Sequence, residues 1–291
     1  MIIDIHNHPY WYGYDEKRFI ANMNEYGIDK TCLLSWETPV EEYDPQYNDK
    51  VPEPGTTDGP VSFRLCVKMF RAQPERFILG FGPDPRRADA IARLLWAKET
   101  FGIKLCGEIK LRMAYDNPDA IRLYRVCGKE KLPVLLHLED PWETNFYSRK
   151  DYWYGGSIGA LERAIRLCPD TAFIGHAPGF WAYISGDEET KDGIISPYAK
   201  TPVIQNGRLI RMLDEYPNLF CDISAGSGRL ALERDPVFAR EFLEKYSDRI
   251  LFGRDCFDNG HRELLDNLGL TKTTLEKLYY KNASKLLGLE K

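Results

Sequence analysis

Residues 133–138 are Pro-Val-Leu-Leu-His-Leu, a short apolar run with a single histidine near its end. A run that is apolar on both faces is typical of a parallel strand buried between two layers. The segment before it, residues 118–129, is predicted to be a helix. A helix followed by a buried strand is the repeating unit of α/β folds, so this stretch indicates a parallel sheet covered by helices.

The same alternation continues along the whole chain. Strands are predicted at residues 2–6, 31–35, 76–82, 106–111, 133–138, 172–176, 219–224 and 249–253. Helices are predicted at residues 16–26, 60–73, 86–101, 118–129, 158–168, 209–216, 236–246 and 273–287. Eight such units in 291 residues predict a single (β/α)₈ TIM barrel over residues 1–291. The alternative is an open doubly wound sheet, but no Gly-x-Gly-x-x-Gly follows the first strand.

Three long loops follow predicted strands two, five and six, at residues 36–59, 139–156 and 177–207. In a barrel, all three would lie at the C-terminal face, where active sites are found.

Composition excludes several classes of protein. Hydrophobic residues make up 43% and charged residues 29%, which is typical of a globular chain rather than a disordered or fibrous one. The net charge of −5 argues against a nucleic-acid partner. No run approaches about 18 apolar residues, and the first residues do not have the pattern of a signal peptide. The seven cysteines include no C-x-x-C pair, so we expect free thiols and a cytoplasmic location.

Four of the five histidines lie at the ends of predicted strands. His6 and His8 close the first strand, His137 lies near the end of the fifth, and His176 ends the sixth. Asp255 follows the eighth. Because these strand ends meet at one mouth of a barrel, and imidazole and carboxylate groups bind zinc and similar ions, we predict a metal site. A single histidine after a strand is more often structural, so the prediction depends on their joint placement.

The fourth predicted strand adds Glu108 and Lys110, which share a face because side chains alternate along a strand. Three interpretations are open: a buried ion pair, a metal ligand at Glu108 that could bridge two ions, or a bridging carboxylated Lys110. Glu108 is favoured slightly. His261 has no strand end beside it and is interpreted as a surface or helix residue.

Lys110, Arg112 and Arg254 would suit an anionic small-molecule substrate, with ordinary ion pairing as the alternative. Aromatic residues are concentrated in the loops after strands one, five and six, and include Trp142 and Trp181. They could line a substrate pocket, as we expect for those two tryptophans, or form a subunit interface.

The sequence resembles a known group. Asp4-Ile5-His6-Asn7-His8 resembles the opening motif of the amidohydrolase superfamily, and His137, His176 and Gly253-Arg254-Asp255 fall where its later motifs would. The ending at residues 282–287 is similar to the amidohydrolase-related branch. That branch contains aminocarboxymuconate-semialdehyde decarboxylase-like enzymes and dicarboxylate lactonases. The resemblance covers essentially the whole chain and also suggests a homodimer.

The resemblance implies a role for each of these residues. His6, His8 and His137 would bind the metal, and His176 would bind a second metal or hold the attacking water. Asp255 would bind metal and act as the general base. The ion would be Zn²⁺, with Mn²⁺ as the alternative. Two features depart from the pattern: Arg254 replaces a common Ser or Thr, and Glu108 accompanies Lys110, which leaves the count at one or two ions.

The expected function is metal-dependent hydrolysis. Metal-activated water would attack a C–N or C–O bond of an amide or lactone, and Asp255 would take up the proton and return it. A metal-dependent non-oxidative decarboxylase could use the same residues and is the alternative. From another class, an inactive barrel could serve as a binding module, although every expected ligand position is filled.

Overall fold

The computed structural model describes residues 1–139, 153–186 and 198–289. All eight predicted strands are present, each within a few residues of its expected bounds. They are β1 (Ile3–Asn7), β2 (Lys30–Leu33), β3 (Phe77–Leu79), β4 (Cys106–Ile109), β5 (Val134–His137), β6 (Phe173–His176), β7 (Leu219–Asp222) and β8 (Ile250–Leu251).

The strands pair in parallel in sequence order, as a group β1–β2–β3 and a group β4–β5–β6–β7–β8. Backbone contacts join the two groups at both junctions. A parallel bridge connects Gly80 to Leu105, and the amide of Ile5 donates to the carbonyl of Phe252 over 3.0 Å. The predicted TIM barrel is therefore confirmed.

The helices are α1 (Glu16–Glu25), α2 (Phe63–Ala72), α3 (Ala90–Phe101), α4 (Pro118–Glu130), α5 (Ile158–Leu167), α6 (Pro178–Trp181), α7 (Arg208–Glu215), α8 (Ala225–Glu233), α9 (Pro236–Lys245), α10 (Gly260–Asn267), α11 (Lys272–Glu276) and α12 (Asn282–Leu286). The predicted closing helix is divided, because a π-helical turn at Lys277–Lys281 separates α11 from α12. No helix in the described part of the chain is both long and apolar enough to cross a membrane.

Three helices, α6, α8 and α10, were not predicted from the sequence. In α8 two glycines lower the intrinsic helix propensity, which hides the helix from a sequence pattern. Close packing requires glycine at one of these positions, because a Cβ at Gly228 would lie 2.2 Å from the carbonyl oxygen of Ile223. This close approach brings α8 against the end of β7.

Two layers of side chains form the core. Residues that include Ile5, Leu135, Ile174 and Leu251 form one buried cluster with Ala283 and Leu287 of the C-terminal segment. The larger cluster contains their strand neighbours, such as Leu136, together with side chains of the surrounding helices. All seven cysteines are free, as the sequence predicts, and six of them are buried.

Candidate metal centre

Four histidines and two carboxylates meet at the C-terminal ends of the strands. His6 and His8 come from β1 and the loop after it, and His137 and His176 are directly paired at the ends of β5 and β6. The four imidazoles are buried, with 4.4 Å between the ring centres of His6 and His176 and 5.3 Å between those of His137 and His176. Alternation along β5 and β6 places His137 and His176 on the same face as Leu135 and Ile174.

The two oxygens of Glu108 lie beside different pairs of histidines. Oε2 lies 3.8 Å from Nε2 of His6 and 3.3 Å from Nε2 of His8. Oε1 lies 2.6 Å from Nδ1 of His137 and 4.0 Å from Nε2 of His176. Glu108 therefore stands between two groups of potential metal ligands.

Asp255 lies beside the first pair of histidines, His6 and His8, and also reaches His176. Its Oδ1 lies 4.0 Å from Nε2 of His6 and 3.7 Å from Nε2 of His8, while its Oδ2 lies 3.9 Å from Nε2 of His176. The backbone of Asp255 has a φ of 51°, and its amide donates to the carbonyl of His6 over 2.8 Å. This turn brings the carboxylate back over the end of β1.

The donor atoms around Oε2 of Glu108 fit a divalent metal ion. Nε2 of His6 and Oδ1 of Asp255 are buried and have no hydrogen-bond partner in the described part of the chain. Unpartnered buried polar atoms are costly, which indicates that these two atoms face a ligand. Donors about 2.1 Å from a shared tetrahedral ion lie about 3.4 Å apart, close to the 3.3 Å between His8 and Glu108.

Asp222 is an important residue that the sequence analysis missed. Its Oδ2 lies 2.7 Å from Nδ1 of His6 and 3.2 Å from Nδ1 of His176, and it accepts a hydrogen bond from Ser224. Burial alone would raise the pKa of Asp222, but the imidazoles of His176 and His6 hold this pKa far below its usual range. The ionised carboxylate therefore keeps the Nδ1 protons in place, so the Nε2 atoms of both rings are free to bind metal.

The Asp222→Asn variant is expected to bind metal about 10–100-fold more weakly, the usual effect of removing an outer carboxylate behind a ligating histidine. The loss arises because an amide no longer fixes the tautomer of His6 and His176. Calorimetric titration of the metal-free protein measures the affinity. Asp248→Asn, which changes an exposed carboxylate, is the control. Equal affinity in both variants would contradict the role of Asp222.

Lys110 lines the same cavity as the potential metal ligands and is surrounded by aromatic rings. Its Nζ lies 4.4 Å from the ring centres of Trp36 and Tyr47 and 5.2 Å from that of Tyr154. Burial alone would raise the pKa of Glu139, but His137 and the Lys110 ammonium hold this pKa below its usual value. Lys110 is therefore held among aromatic rings and close to the carboxylate of Glu139.

The structure corrects the expectation for Arg254. Its side chain is only 1% exposed, and its Nε lies 2.9 Å from Oδ2 of Asp4 and its Nη1 2.9 Å from Oδ1 of Asn22. It does not line the described cavity. Arg254 lies beyond β8, and both its backbone amide and its guanidinium bond Asp4, which holds the side chain in the buried core. The alternative interpretation was ordinary ion pairing, and the structure contains such a pair between Arg254 and Asp4.

The Arg254→Leu variant is expected to lose about 3–5 kcal/mol of unfolding free energy, because it leaves the carboxylate of Asp4 buried without its partner. Urea denaturation of the metal-free protein measures the change. The control is Arg87→Leu, which breaks an exposed pair with Asp89 and should leave stability nearly unchanged. Similar stabilities of the two variants would contradict the assignment of Arg254.

Trp181 also differs from its expected role. It is fully buried, its indole N–H donates to the carbonyl of Asp222 over 2.9 Å, and its ring packs against Phe180 and Phe242. It therefore supports the end of β7 rather than the cavity wall.

Trp142 lies outside the described residues. His261 lies in α10, as one interpretation allowed, but it is buried rather than on the surface.

A cavity of about 920 Å³ is lined by five of the six potential metal ligands, namely His8, Glu108, His137, His176 and Asp255. Its aromatic wall includes Trp11, Tyr12, Trp36, Tyr47 and Tyr198, and its cationic residues in the described ranges are Lys50, Lys110, Lys200 and Arg229. Trp11 and Tyr12 belong to the loop after strand one, where aromatic residues were expected to line the pocket or a subunit interface. Trp36 and Tyr47 come from the long loop after strand two, whose lack of periodicity gave no signal. Arg112 is not among the lining residues in the described part of the chain.

Comparison with known proteins identifies the family. A sequence model of the amidohydrolase family matches residues 3–289, so the chain belongs to this family of enzymes, whose members bind divalent metals. A search of the curated proteins finds no match.

Solved structures with the same fold include enzymes of two reaction types. The 2,6-dihydroxybenzoate decarboxylase from Rhizobium is 14% identical, with a TM-score of 0.61, covering 99% of this chain and 98% of that chain. A dihydroxybenzoic acid decarboxylase from Polaromonas sp. JS666, with bound manganese and 2-nitroresorcinol, is 17% identical, with a TM-score of 0.58 and coverage of 94% and 86%. A protein described as a 2-pyrone-4,6-dicarboxylic acid hydrolase from Pseudomonas putida is 12% identical, with a TM-score of 0.56 and coverage of 100% and 98%. At these identities the likeness shows the fold alone.

Proposed function

We propose that this enzyme is a hydrolase with two divalent metal ions that opens an amide or lactone bond in a small anionic substrate. The observation that carries the proposal is the position of Glu108, whose two carboxylate oxygens lie beside two different pairs of histidines. A carboxylate in this position can bridge two ions, and paired ions are a common arrangement in hydrolytic enzymes.

The ligands divide between the two ions. His6, His8 and Asp255 would share the first ion with Oε2 of Glu108, and His137 and His176 would share the second with Oε1. Nitrogen and carboxylate donors suit Zn²⁺, with Mn²⁺ as the alternative. When bound, such ions lower the pKa of water toward 7 and polarise a carbonyl group.

Asp255 is the group best placed to move the proton. Its Oδ2 lies 3.9 Å from Nε2 of His176, and its side chain is 16% exposed, so it has access to the cavity. The carbonyl of Asp255 accepts a hydrogen bond from the indole of Trp11 over 3.2 Å, which holds the turn. In this proposal Asp255 takes the proton from the attacking water and gives it to the departing nitrogen or oxygen.

Lys110 supports the choice of an anionic substrate. Neutral aromatic rings surround its ammonium on three sides, and the group lines the cavity. An anionic group of the substrate can pair with it where water is largely excluded, which strengthens the interaction.

The Lys110→Met variant is expected to raise the KM of an anionic substrate by about 10–100-fold, since a hydrogen bond to a charged group contributes about 1.5–3 kcal/mol. The kcat should change much less, because Lys110 is proposed to bind an anionic group of the substrate and not the bond that is hydrolysed. Steady-state kinetics with the acid and with its neutral methyl ester separate these effects. An equal loss for both substrates would argue against charge recognition.

Product analysis in oxygen-18 water tests the proposed reaction. A panel of small lactones and N-acyl acids is incubated with the zinc-loaded enzyme, and the products are examined by mass spectrometry. Hydrolysis predicts one labelled oxygen in the new carboxylate and no release of carbon dioxide. A panel of aromatic and unsaturated carboxylic acids is tested in parallel. Carbon dioxide release from these acids, with no labelled hydrolysis product, would replace the proposal with the decarboxylase alternative.

A further inference from the structure

A second set of potential ligands lies in the segment that follows β8. Cys256, Asp258 and His261 are close in sequence, in a Cys-x-Asp-x-x-His spacing, and all three line the cavity. One ligand atom from each of the three lies within 4.8 Å of the others. None of them is among the residues assigned to the two ions at Glu108.

His261 provides the independent evidence for a ligand. The side chain is 1% exposed, and its Nε2 lies 2.9 Å from the carbonyl oxygen of Ala225. A carbonyl can only accept a hydrogen bond, so Nε2 carries the proton and Nδ1 has the free lone pair. Nδ1 is buried and has no hydrogen-bond partner in the described part of the chain. A buried acceptor of this kind is costly when it faces no ligand.

The segment is held in place before any ligand binds. The carbonyl of Cys256 accepts a hydrogen bond from Nδ2 of Asn7 over 2.9 Å, and the carbonyl of Phe257 accepts one from Asn22 over 2.7 Å. Oδ1 of Asp258 accepts from the amide of Gly260 over 2.9 Å. These contacts fix the backbone around Cys256 and Asp258, so little ordering is needed on binding.

We propose that Cys256, Asp258 and His261 form an auxiliary site for a zinc-type divalent ion at the wall of the cavity. A thiolate, a carboxylate and an imidazole are three ligands of a tetrahedral site, and the fourth position stays open to water or to an incoming molecule. The thiol gives its proton to the solvent as the ion binds. Because it includes a thiolate, this site selects Zn²⁺ or Co²⁺ over Mg²⁺ and Mn²⁺. The inference does not rest on the proposed hydrolysis.

Cobalt spectroscopy on the full chain tests this site without measuring activity. The purified protein is stripped with a chelator and titrated with Co²⁺. A thiolate-to-cobalt charge-transfer band in the near ultraviolet is expected, and it reports only the auxiliary site because the Glu108 centre offers no sulfur ligand. The band should disappear in Cys256→Ser. It should persist in Cys168→Ser, which removes a free thiol at the end of α5, and in the double variant His6→Ala, His8→Ala.

The band's absence from the wild-type protein at saturating Co²⁺, or its persistence in Cys256→Ser, would overturn the proposal. Circular dichroism shows whether Cys256→Ser folds. If it does not, His261→Gln takes its place, and the Co²⁺ concentration at half-saturation of the band should rise at least about tenfold. An unchanged half-saturation in that variant would also overturn the site. Loss of the band only in the His6, His8 variant would instead place the thiolate at the main centre.

Discussion

The Glu108→Gln variant is expected to reduce kcat/KM by about 10³-fold or more, since a single electrostatic contact to a transition state already contributes about 10²–10³-fold. The effect is larger here because Glu108 lies beside both groups of histidines, with 3.3 Å to His8 and 2.6 Å to His137. An amide bridges two cations poorly. The variant should therefore lose at least one of its two ions at this centre, as measured by elemental analysis.

Glu139→Gln is the matched control for Glu108→Gln. Glu139 is also buried and lies 3.1 Å from Nε2 of His137, but it does not lie between the two groups of ligands. It should retain both ions and lose only about tenfold in affinity for the second, as expected for an outer partner of a ligand. Equal losses in the two variants would contradict a bridging role for Glu108.

The Asp255→Asn variant is expected to lower kcat by about 10²–10⁴-fold, the range for removal of a general acid or base. Asparagine retains the size and one oxygen of the side chain, so His6, His8 and Glu108 should still hold the first ion. The combination of a low kcat with retained metal separates proton transfer from metal binding. Full activity of the variant would exclude Asp255 as the base, and loss of the metal would make its main role that of a ligand.

The sequence was sufficient to predict the barrel because its strands are buried on both faces. The run at residues 133–138 shows this pattern, and His137 and His176 meet because their strands are neighbours in parallel register. The predictions for His6, His8 and Asp255 followed from the same rule, that strand ends converge, and that for Glu108 followed from the alternation of side chains along its strand. These residues lie together in the structure.

Other features depend on three-dimensional contacts that leave no periodic signal. Asp222 ends β7, and its position at a strand end was the one available hint, but only the structure places it behind His6 and His176. Arg254 had the charge expected for substrate binding, yet its partner Asp4 is 250 residues away in sequence. The tryptophans were also hard to predict. Trp36 lines the cavity although its loop has no periodic pattern, whereas Trp181, which was expected in the cavity, packs behind β7.

The most direct test of the central claim is a crystal structure of the zinc-loaded enzyme with an anomalous difference map recorded at the zinc absorption edge. Two peaks are expected on opposite sides of the Glu108 carboxylate, one beside His6, His8 and Asp255 and the other beside His137 and His176. A peak at Cys256 would be separate from both. A single peak beside His6 and His8, with none near His137 and His176 at saturating zinc, would contradict the two-ion centre.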